Sequence, residues 1–497
     1  MCGITGLYAF NEIGRFFSIN LFRATEALAR RGPDADGTFL DGRVALGHRR
    51  LSIIDVGEQS NQPLTDHTGR YQIVFNGEIF NYRELKQSLA RRGATFRTES
   101  DTEVLLELYK QDGEGCLNQL NGFFAFAIYD AQRESLFLAR DRMGVKPLVY
   151  FRDEDKILFA SELKSLLAYG IPKELDYHSL HQYLQLNYIP APYCIFKGVR
   201  KLLPGHFLSI HHGQVREEKW YEIPYSSNNR TPLSYGQQQE RLVELLDEAT
   251  QRRLIADVPL GAFLSGGIDS SVVVALAARH TQRLRTFSIG YRDEPFFDET
   301  HYANLVAKQF KTDHTVFSLT NDDLFASLFD MLDYLDEPFA DSSALAVYIL
   351  SQKTRRRVTV ALSGDGADEL FGGYHKHAGE YRTRRGGPMA SLTGALSPLW
   401  RAIPKSRDSW VGNKARQLLK FAEGSRLDER DRYWRFATFT DENGASGLLR
   451  TPALLSATEV RERKQSLLQP LRHRGPAHLN EVLLTDCRLV LPNDMLK

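Results

Sequence analysis

Cysteine is scarce in this 497-residue sequence. Cys2, Cys116, Cys194 and Cys487 lie far apart, which excludes a disulfide scaffold and the paired CxxC spacing of a zinc site. No stretch approaches eighteen consecutive apolar residues, so no transmembrane helix is expected. The opening Met-Cys-Gly-Ile-Thr-Gly lacks the charged start and long apolar core of a signal peptide. Net charge is also nearly absent: 63 Lys+Arg oppose 62 Asp+Glu, leaving +1. Neither nucleic acid nor an anionic membrane is therefore an expected partner. The fourteen histidines include no HExxH, and His206, His211 and His212 flank a Gly-containing turn and read as solvated. There is no fixed-period repeat and no low-complexity tract.

What remains is ordinary and ample. With 42% hydrophobic and 25% charged residues the chain has the composition of a folded, soluble, cytoplasmic protein. At roughly 100–200 residues per domain, its length predicts two to four domains. The first ~165 residues read as short strands (Tyr71–Phe75, Phe123–Tyr129, Ser135–Ala139, Ile157–Ala160) with helical spacing at Arg83–Arg92 and Thr102–Lys110. That mixture predicts stacked antiparallel sheets flanked by helices. Pro190, Pro192, Pro204 and Pro224 punctuate Asp176–Tyr225, which reads as a connection between domains. From about Gln238 the pattern changes. A helix at Gln239–Ile255, a strand at Gly261–Leu264, a helix at Ser271–Arg279 and strands at Thr286–Gly290 and Val358–Leu362 predict an α/β parallel sheet. Helical patterning returns at Leu427–Phe436 and Leu479–Val490. The basic stretch Arg382–Arg416 reads first as a solvated insertion, with an anion-binding or partner loop as the sharper alternative.

Removal of Met1 would make Cys2 the terminal residue, joining a thiol to an α-amine of pKa ≈ 7.7–8.0 that can serve as its base. Alone this means little, but its neighbours are specific. Arg31-Gly-Pro-Asp34, Arg50-Leu-Ser-Ile53, Asn76-Gly77-Glu78-Ile79-Phe80-Asn81-Tyr82 and Ser100-Asp101-Thr-Glu103 follow in order. An Asn-Gly pair at a strand end can aim an amide and a backbone N–H at one oxyanion. Arg50 offers a fork for an α-carboxylate, and Glu78 and Asp101 suit an α-ammonium. Taken singly, Asn76-Gly77 is a hairpin turn, Arg50 a surface ion pair and Asp101 a helix N-cap. Together they resemble the class II glutamine amidotransferase domain over residues 2–165. The resemblance implies an αββα N-terminal-nucleophile sandwich. It makes Cys2 the nucleophile, Asn76 and Gly77 the oxyanion donors, and Arg50, Asn76, Glu78 and Asp101 the glutamine-binding groups.

Further on, Phe263-Leu-Ser265-Gly266-Gly267-Ile-Asp269-Ser270-Ser271 follows a buried strand and opens a helix. Its glycines let backbone approach a phosphate, and the helix N-terminus supplies free N–H groups. It is neither a Walker A loop nor a dinucleotide GxGxxG. A second acidic glycine loop, Ser363-Gly364-Asp365-Gly366-Ala367-Asp368-Glu369, also lies at a strand end. In a parallel sheet two such loops meet at the carboxyl edge, where ligands bind. Three acids beside a phosphate loop imply magnesium.

Ser265–Ser270 resembles the pyrophosphate motif of ATP pyrophosphatases. With the second loop and Leu202-Leu-Pro-Gly-His206, the chain is similar to the glutamine-hydrolysing asparagine synthetase family. That likeness implies ATP contacts at Leu264, Ile289, Ser363 and Gly364, and pyrophosphate contacts at Ser265, Gly267, Asp269 and Ser270. It implies Mg²⁺ on Asp269 and Asp368, and Asp365 as a catalytic residue near an acyl-adenylate, where many members carry Glu. The implied substrates are glutamine, aspartate and ATP, and the implied assembly is a homodimer. The expected division is a glutaminase domain at 2–210, with linker from about 176, and a synthetase domain at 235–497.

The family pattern goes on beyond Leu491–Lys497 to more helices and much of the acceptor pocket. A truncated or naturally short form is therefore expected, with glutaminase chemistry insulated from the loss. Three alternatives stay open: an amidotransferase for a different carboxylate, a glutaminase with an impaired synthetase site, and a glutamine- or nucleotide-binding module without turnover.

Overall fold

The computed structural model describes residues 1–225, 231–386 and 410–496. Two six-stranded antiparallel sheets form its N-terminal half. One runs Val199–Lys201, Val149–Arg152, Lys156–Ala160, Gly3–Ala9, Val44–Arg50, Ala35–Asp41 from edge to edge. The other runs Gln214–Lys219, His206–His211, Ser135–Arg140, Gly122–Asp130, Tyr71–Ile79, Leu64–Thr65. Alternation along each strand divides the side chains between two layers. Ile4, Tyr8, Leu46 and Phe159 from the first sheet meet Val74, Ala127, Tyr129 and Leu138 from the second in a buried layer between them. The opposite faces are covered by helices. Phe75, Phe124, Phe126 and Phe137 pack under Tyr82–Arg91 and Asp101–Asp112, whereas Leu7, Ala9 and Leu158 pack under Leu21–Glu26 and Leu163–Ala168. This is the αββα sandwich expected, and each fully buried Phe contributes roughly 1.5–3 kcal/mol.

The connection expected from residue 176 is instead part of this unit. It holds the helix Tyr177–Leu186 and three strands, two of which extend the second sheet and one the first. Its prolines lie between these short elements rather than interrupting them. The sheets thus run to Lys219, past the boundary expected near 210.

The second half holds a four-stranded parallel sheet ordered Asp313–Leu319, Arg285–Tyr291, Leu260–Phe263, Val360–Leu362. The first crossover goes one way from Leu260–Phe263 and the last strand returns on its other side, so the strand order reverses between Leu260–Phe263 and Val360–Leu362. Ala277, Ala303 and Ala307 let the helices Ile268–His280 and Thr300–Phe310 close on the sheet around Leu264 and Val274. Two expected elements shift. The helix expected at Gln239–Ile255 begins at Tyr235, on a capping box between Ser234 and Gln237, and stops at Arg252. The last strand starts at Val360, not Val358, because the Val358 N–H still bonds the Thr354 carbonyl at the end of the preceding helix. The edge strand Asp313–Leu319 has no counterpart among the expected strands. Most of the basic stretch Arg382–Arg416, and with it the partner-loop alternative, lies outside the described residues. No helix among the described residues is long and apolar enough to cross a membrane.

Candidate active site

Cys2 stands immediately before the central strand Gly3–Ala9. Its thiol faces the Leu51 backbone, whose N–H donates to Sγ at 3.5 Å. The Arg-Gly-Pro-Asp and Arg-Leu-Ser segments hold it there. Arg31 donates from Nε to the Cys2 carbonyl (2.9 Å) and pairs with Glu162 (2.9 Å), while Asp34 accepts from the Ser52 N–H (2.8 Å). A side chain at Gly32 would lie 2.2 Å from the Arg49 carbonyl carbon, so only glycine fits this crossing.

Asn76 and Gly77 do not form a hairpin turn; they continue the strand Tyr71–Ile79. Asn76 is fully buried, and neither its amide nitrogen nor its oxygen has a hydrogen-bond partner. Such an orphan amide costs about 1–3 kcal/mol, and both of its polar atoms stay free for a partner in the cavity that Asn76 lines. At Gly77 a Cβ would meet the Phe123 carbonyl at 2.2 Å.

Arg50 is buried. Its guanidinium donates to the carbonyls of Gly57 (2.8 Å), Ile54 (3.5 Å) and Asp55, and to Asn61 Oδ1 (2.7 Å). Every acceptor is neutral, so the charge is oriented but not cancelled, as a carboxylate receptor requires. Burial draws its pKa below the ordinary value. Asp101 is the first residue of Asp101–Asp112, capped by Ser100, and accepts the Ile79 N–H at 2.9 Å. Burial pushes its carboxyl up to about 7, against the pull of that hydrogen bond and with help from Glu78. Glu78 is raised too, by burial, although Lys146, the terminal amine and Arg253 oppose it.

Cys2, Arg50, Asn76, Gly77, Glu78 and Asp101 line one cavity of about 40 Å³. All six residues expected there are brought together. Sequence reading missed Gln62 and Lys146, which also line it. Gln62 accepts the Phe75 N–H (2.6 Å) and donates to Thr102 (3.3 Å), bracing the two elements that carry Asn76 and Asp101. Neither carried a local motif that could have announced it. Met1 fills part of the mouth, with Sδ 3.2 Å from Lys146 Nζ, and burial pulls its α-amine down to about 5. With Met1 in place the cavity admits a few waters, not an amino acid.

The second group gathers where the parallel sheet reverses its order, the expected place for a ligand. Ser265 and Ser270 share a hydrogen bond (3.0 Å), and the Gly267 N–H donates to Ser265 Oγ (3.2 Å) just before the helix Ile268–His280. Gly266 sits at φ +87°, with Tyr302 Cβ 2.6 Å from where its own Cβ would be. The second loop touches the first: a Cβ on Gly364 would lie 2.7 Å from the Ser270 nitrogen and 2.9 Å from the Asp269 carbonyl carbon. Ser363 donates to Asp365 at 2.8 Å. Leu264 is buried beneath the loop, and Ile289 lies on the adjoining strand. Burial, then the charge of Asp368, raises the Asp269 carboxyl. Among the described residues, one further group has metal-ligand character: His473, His478 and Glu481. There Glu481 already accepts from the Arg472 and His473 N–H groups (2.8 and 3.0 Å) and from the His473 ring (2.5 Å), which explains it as a local brace.

Residues 1–221 match the family model described as glutamine amidotransferase domain, and residues 241–497 the one described as asparagine synthase. Putative asparagine synthetase (glutamine-hydrolyzing) 2 of Methanocaldococcus jannaschii is 37% identical over 412 residues, 77% of this chain and 77% of that protein. Asparagine synthetase (glutamine-hydrolyzing) 1 of Bacillus subtilis is 36% identical over 382 residues, 76% of this chain but 59% of that protein. Among solved structures, glutamine phosphoribosylpyrophosphate amidotransferase from B. subtilis aligns over 63% of this chain and 65% of its own at 20% identity, with a TM-score of 0.35. The two domain matches and the identity to relatives place the chain plainly: it belongs to the asparagine synthase family, with a glutamine amidotransferase domain at its N-terminal end.

Proposed function

We propose that the chain transfers the amide nitrogen of glutamine to the β-carboxylate of aspartate, consuming ATP and yielding asparagine, glutamate, AMP and pyrophosphate. The observation that carries this reading is the orphaned Asn76 amide in the cavity that also holds Cys2, Arg50, Glu78 and Asp101. Once Met1 is removed, the Cys2 amine takes the thiol proton and the sulfur attacks the side-chain carbonyl of glutamine. Asn76 and the Gly77 N–H receive the oxyanion, Arg50 holds the α-carboxylate, and Asp101 with Glu78 holds the α-ammonium. Collapse releases ammonia, and water then hydrolyses the glutamyl thioester.

At the second site an aspartate β-carboxylate oxygen attacks the α-phosphorus of ATP and pyrophosphate leaves. Ammonia attacks the resulting acyl-adenylate and AMP departs. Leu264, Ile289, Ser363 and Gly364 suit the nucleotide, and the Ser265–Ser270 loop suits the pyrophosphate, held by N–H and hydroxyl donors. The charge acting on Asp269 is that of another carboxylate, Asp368, so this pair fits a divalent cation. Asp269 and Asp368 would hold Mg²⁺, which when bound neutralises phosphate charge. Asp365 is exposed beside Ser363, where a carboxylate can face the adenylate.

The test is an end-point assay with glutamine, aspartate and ATP·Mg²⁺ that quantifies glutamate, AMP and asparagine together. All three rising in step is the expected result. Glutamate alone would overturn aspartate as acceptor, and no glutamate would overturn turnover at Cys2. Cys2→Ala should lose glutamine use but keep ammonia-dependent synthesis. Asp269→Asn should do the reverse.

A further inference from the structure

The glutamine pocket is not completed by the N-terminal sandwich alone. The loop Ser52–Gln59 supplies the carbonyls that orient Arg50, and this loop is gripped by a residue of the second domain. The Asp55 N–H donates to Asp257 Oδ2 at 2.8 Å, and the Asp257 N–H donates to the Ile53 carbonyl at 2.9 Å. This reciprocal pair brackets Ile54 and Asp55, two of the three residues whose carbonyls hold the Arg50 guanidinium.

Asp55 is a hub. Its backbone nitrogen faces Asp257 and its carbonyl faces Arg50. Its carboxylate accepts from Ser60 Oγ (2.7 Å) and from the Glu99 N–H (2.8 Å), just before Asp101. It also sits at φ +49°, a left-handed conformation that a non-glycine residue keeps only when its surroundings impose it. The Asp257 bond lands on the nitrogen of that residue. The same segment reaches the pocket a second way: the Arg253 guanidinium lies over the rings of Phe80 (4.7 Å) and Phe123 (4.8 Å), beside Glu78. Asp257 leads directly into the strand Leu260–Phe263 and the Ser265 loop. Pro259 meanwhile accepts the Thr359 N–H at 2.9 Å, tying the segment to the approach of the second loop.

We propose that Asp257 is a positioning residue for glutamine: from the synthetase domain it fixes the Asp55 backbone, and through it the Arg50 fork that receives the α-carboxylate. This rests on the functional reading above. The experiment compares Asp257→Ala and Asp257→Asn in the full chain. Glutaminase kcat and KM are measured for glutamine and for 4-aminobutanamide, which lacks the α-carboxylate, beside ammonia-dependent synthesis.

Asp257→Ala is expected to raise the glutamine KM about tenfold, the effect of losing one orienting hydrogen bond, with kcat within about twofold. The penalty should vanish with 4-aminobutanamide, ammonia-dependent synthesis should persist, and Asp257→Asn, which keeps an acceptor oxygen, should restore KM. An unchanged KM, or an equal penalty on both amides, would overturn the proposal. Should Asp257→Ala not fold, Asp257→Glu, whose longer arm displaces the oxygen, carries the same expectation. A wild-type chain that hydrolyses no glutamine would sink the functional reading itself. An active wild type with an indifferent Asp257→Ala sinks only this inference.

Discussion

Asn76 and Asp101 are both buried against their chemical preference, and each sets a measurable property. Because the Asn76 amide has no partner to lose, Asn76→Ala should not lower the thermal midpoint. Glutaminase kcat should fall about 10²–10³-fold with an oxyanion donor gone, whereas ammonia-dependent synthesis stays. A loss of stability with intact turnover would return Asn76 to an ordinary core role. For Asp101 the sign follows from a folded pKa of about 7 against an ordinary carboxyl value of 3.8. The folded state binds the proton more tightly, so this group's contribution to stability is full below about 4. It declines as pH rises toward 7 and changes no further above it. In the proposed role, ammonium binding needs the ionised form, so kcat/KM for glutamine should rise through an inflection near 7 in the free enzyme. Asp101→Asn should remove that inflection; if it persists unchanged, another group owns it.

At the scale of elements, the proposed nucleotide site is two loops whose backbones touch. A methyl on Gly364 would press on Ser270 and Asp269 at under 3 Å, so Gly364→Ala should part the loops. Misplacement of this kind costs about 10²-fold in turnover, which ATP–pyrophosphate exchange would register while glutaminase holds. An exchange rate within twofold of wild type would mean the loops flex apart freely.

These loops were legible because glycine, serine and acid between a buried strand and a helix are local signals. The strand Asp313–Leu319 was not. It pairs with one neighbour only, and its alternation His314, Val316, Ser318 against Thr315, Phe317, Leu319 is mixed in polarity, so periodicity gave no clean face. Ser234 and Gln237 form a readable capping box that fixes the helix start four residues earlier than the apolar pattern does. In the first half, the motif residues announced the pocket. The reasons for them, such as Asp34 on Ser52 or Arg31 on the Cys2 carbonyl, are contacts across 18 to 29 residues that only the fold displays.

The whole molecule explains why Asp176–Tyr225 misled. Beyond its strands in the two N-terminal sheets, its helix Tyr177–Leu186 and the residues after it also take partners from the second half of the chain, where no local pattern could point. Leu186 and Tyr188 share a core with Tyr433, Trp434, Leu468 and Val482, and Gln185 accepts the Trp434 indole N–H at 2.8 Å. Glu337 accepts the Ile195 N–H (3.0 Å) and pairs with Lys201 (2.7 Å), and Asn493 accepts the Ala191 N–H at 2.8 Å while donating to Leu489. The two halves are thus docked through buried polar bonds as well as apolar area. Docking matters if ammonia must pass from Cys2 to the adenylate without escaping, since only a closed route excludes water. Asn493→Ala leaves a buried N–H unpaired at about 1–3 kcal/mol, loosening that seam while touching neither pocket. With glutamine as donor, the ratio of glutamate formed to asparagine formed should rise well above one, whereas glutaminase alone and synthesis from added ammonia should each stay near wild type. A ratio that remains at one would show that transfer does not depend on this part of the interface, and a parallel fall in both separate activities would show that the substitution had damaged the sites rather than the seam.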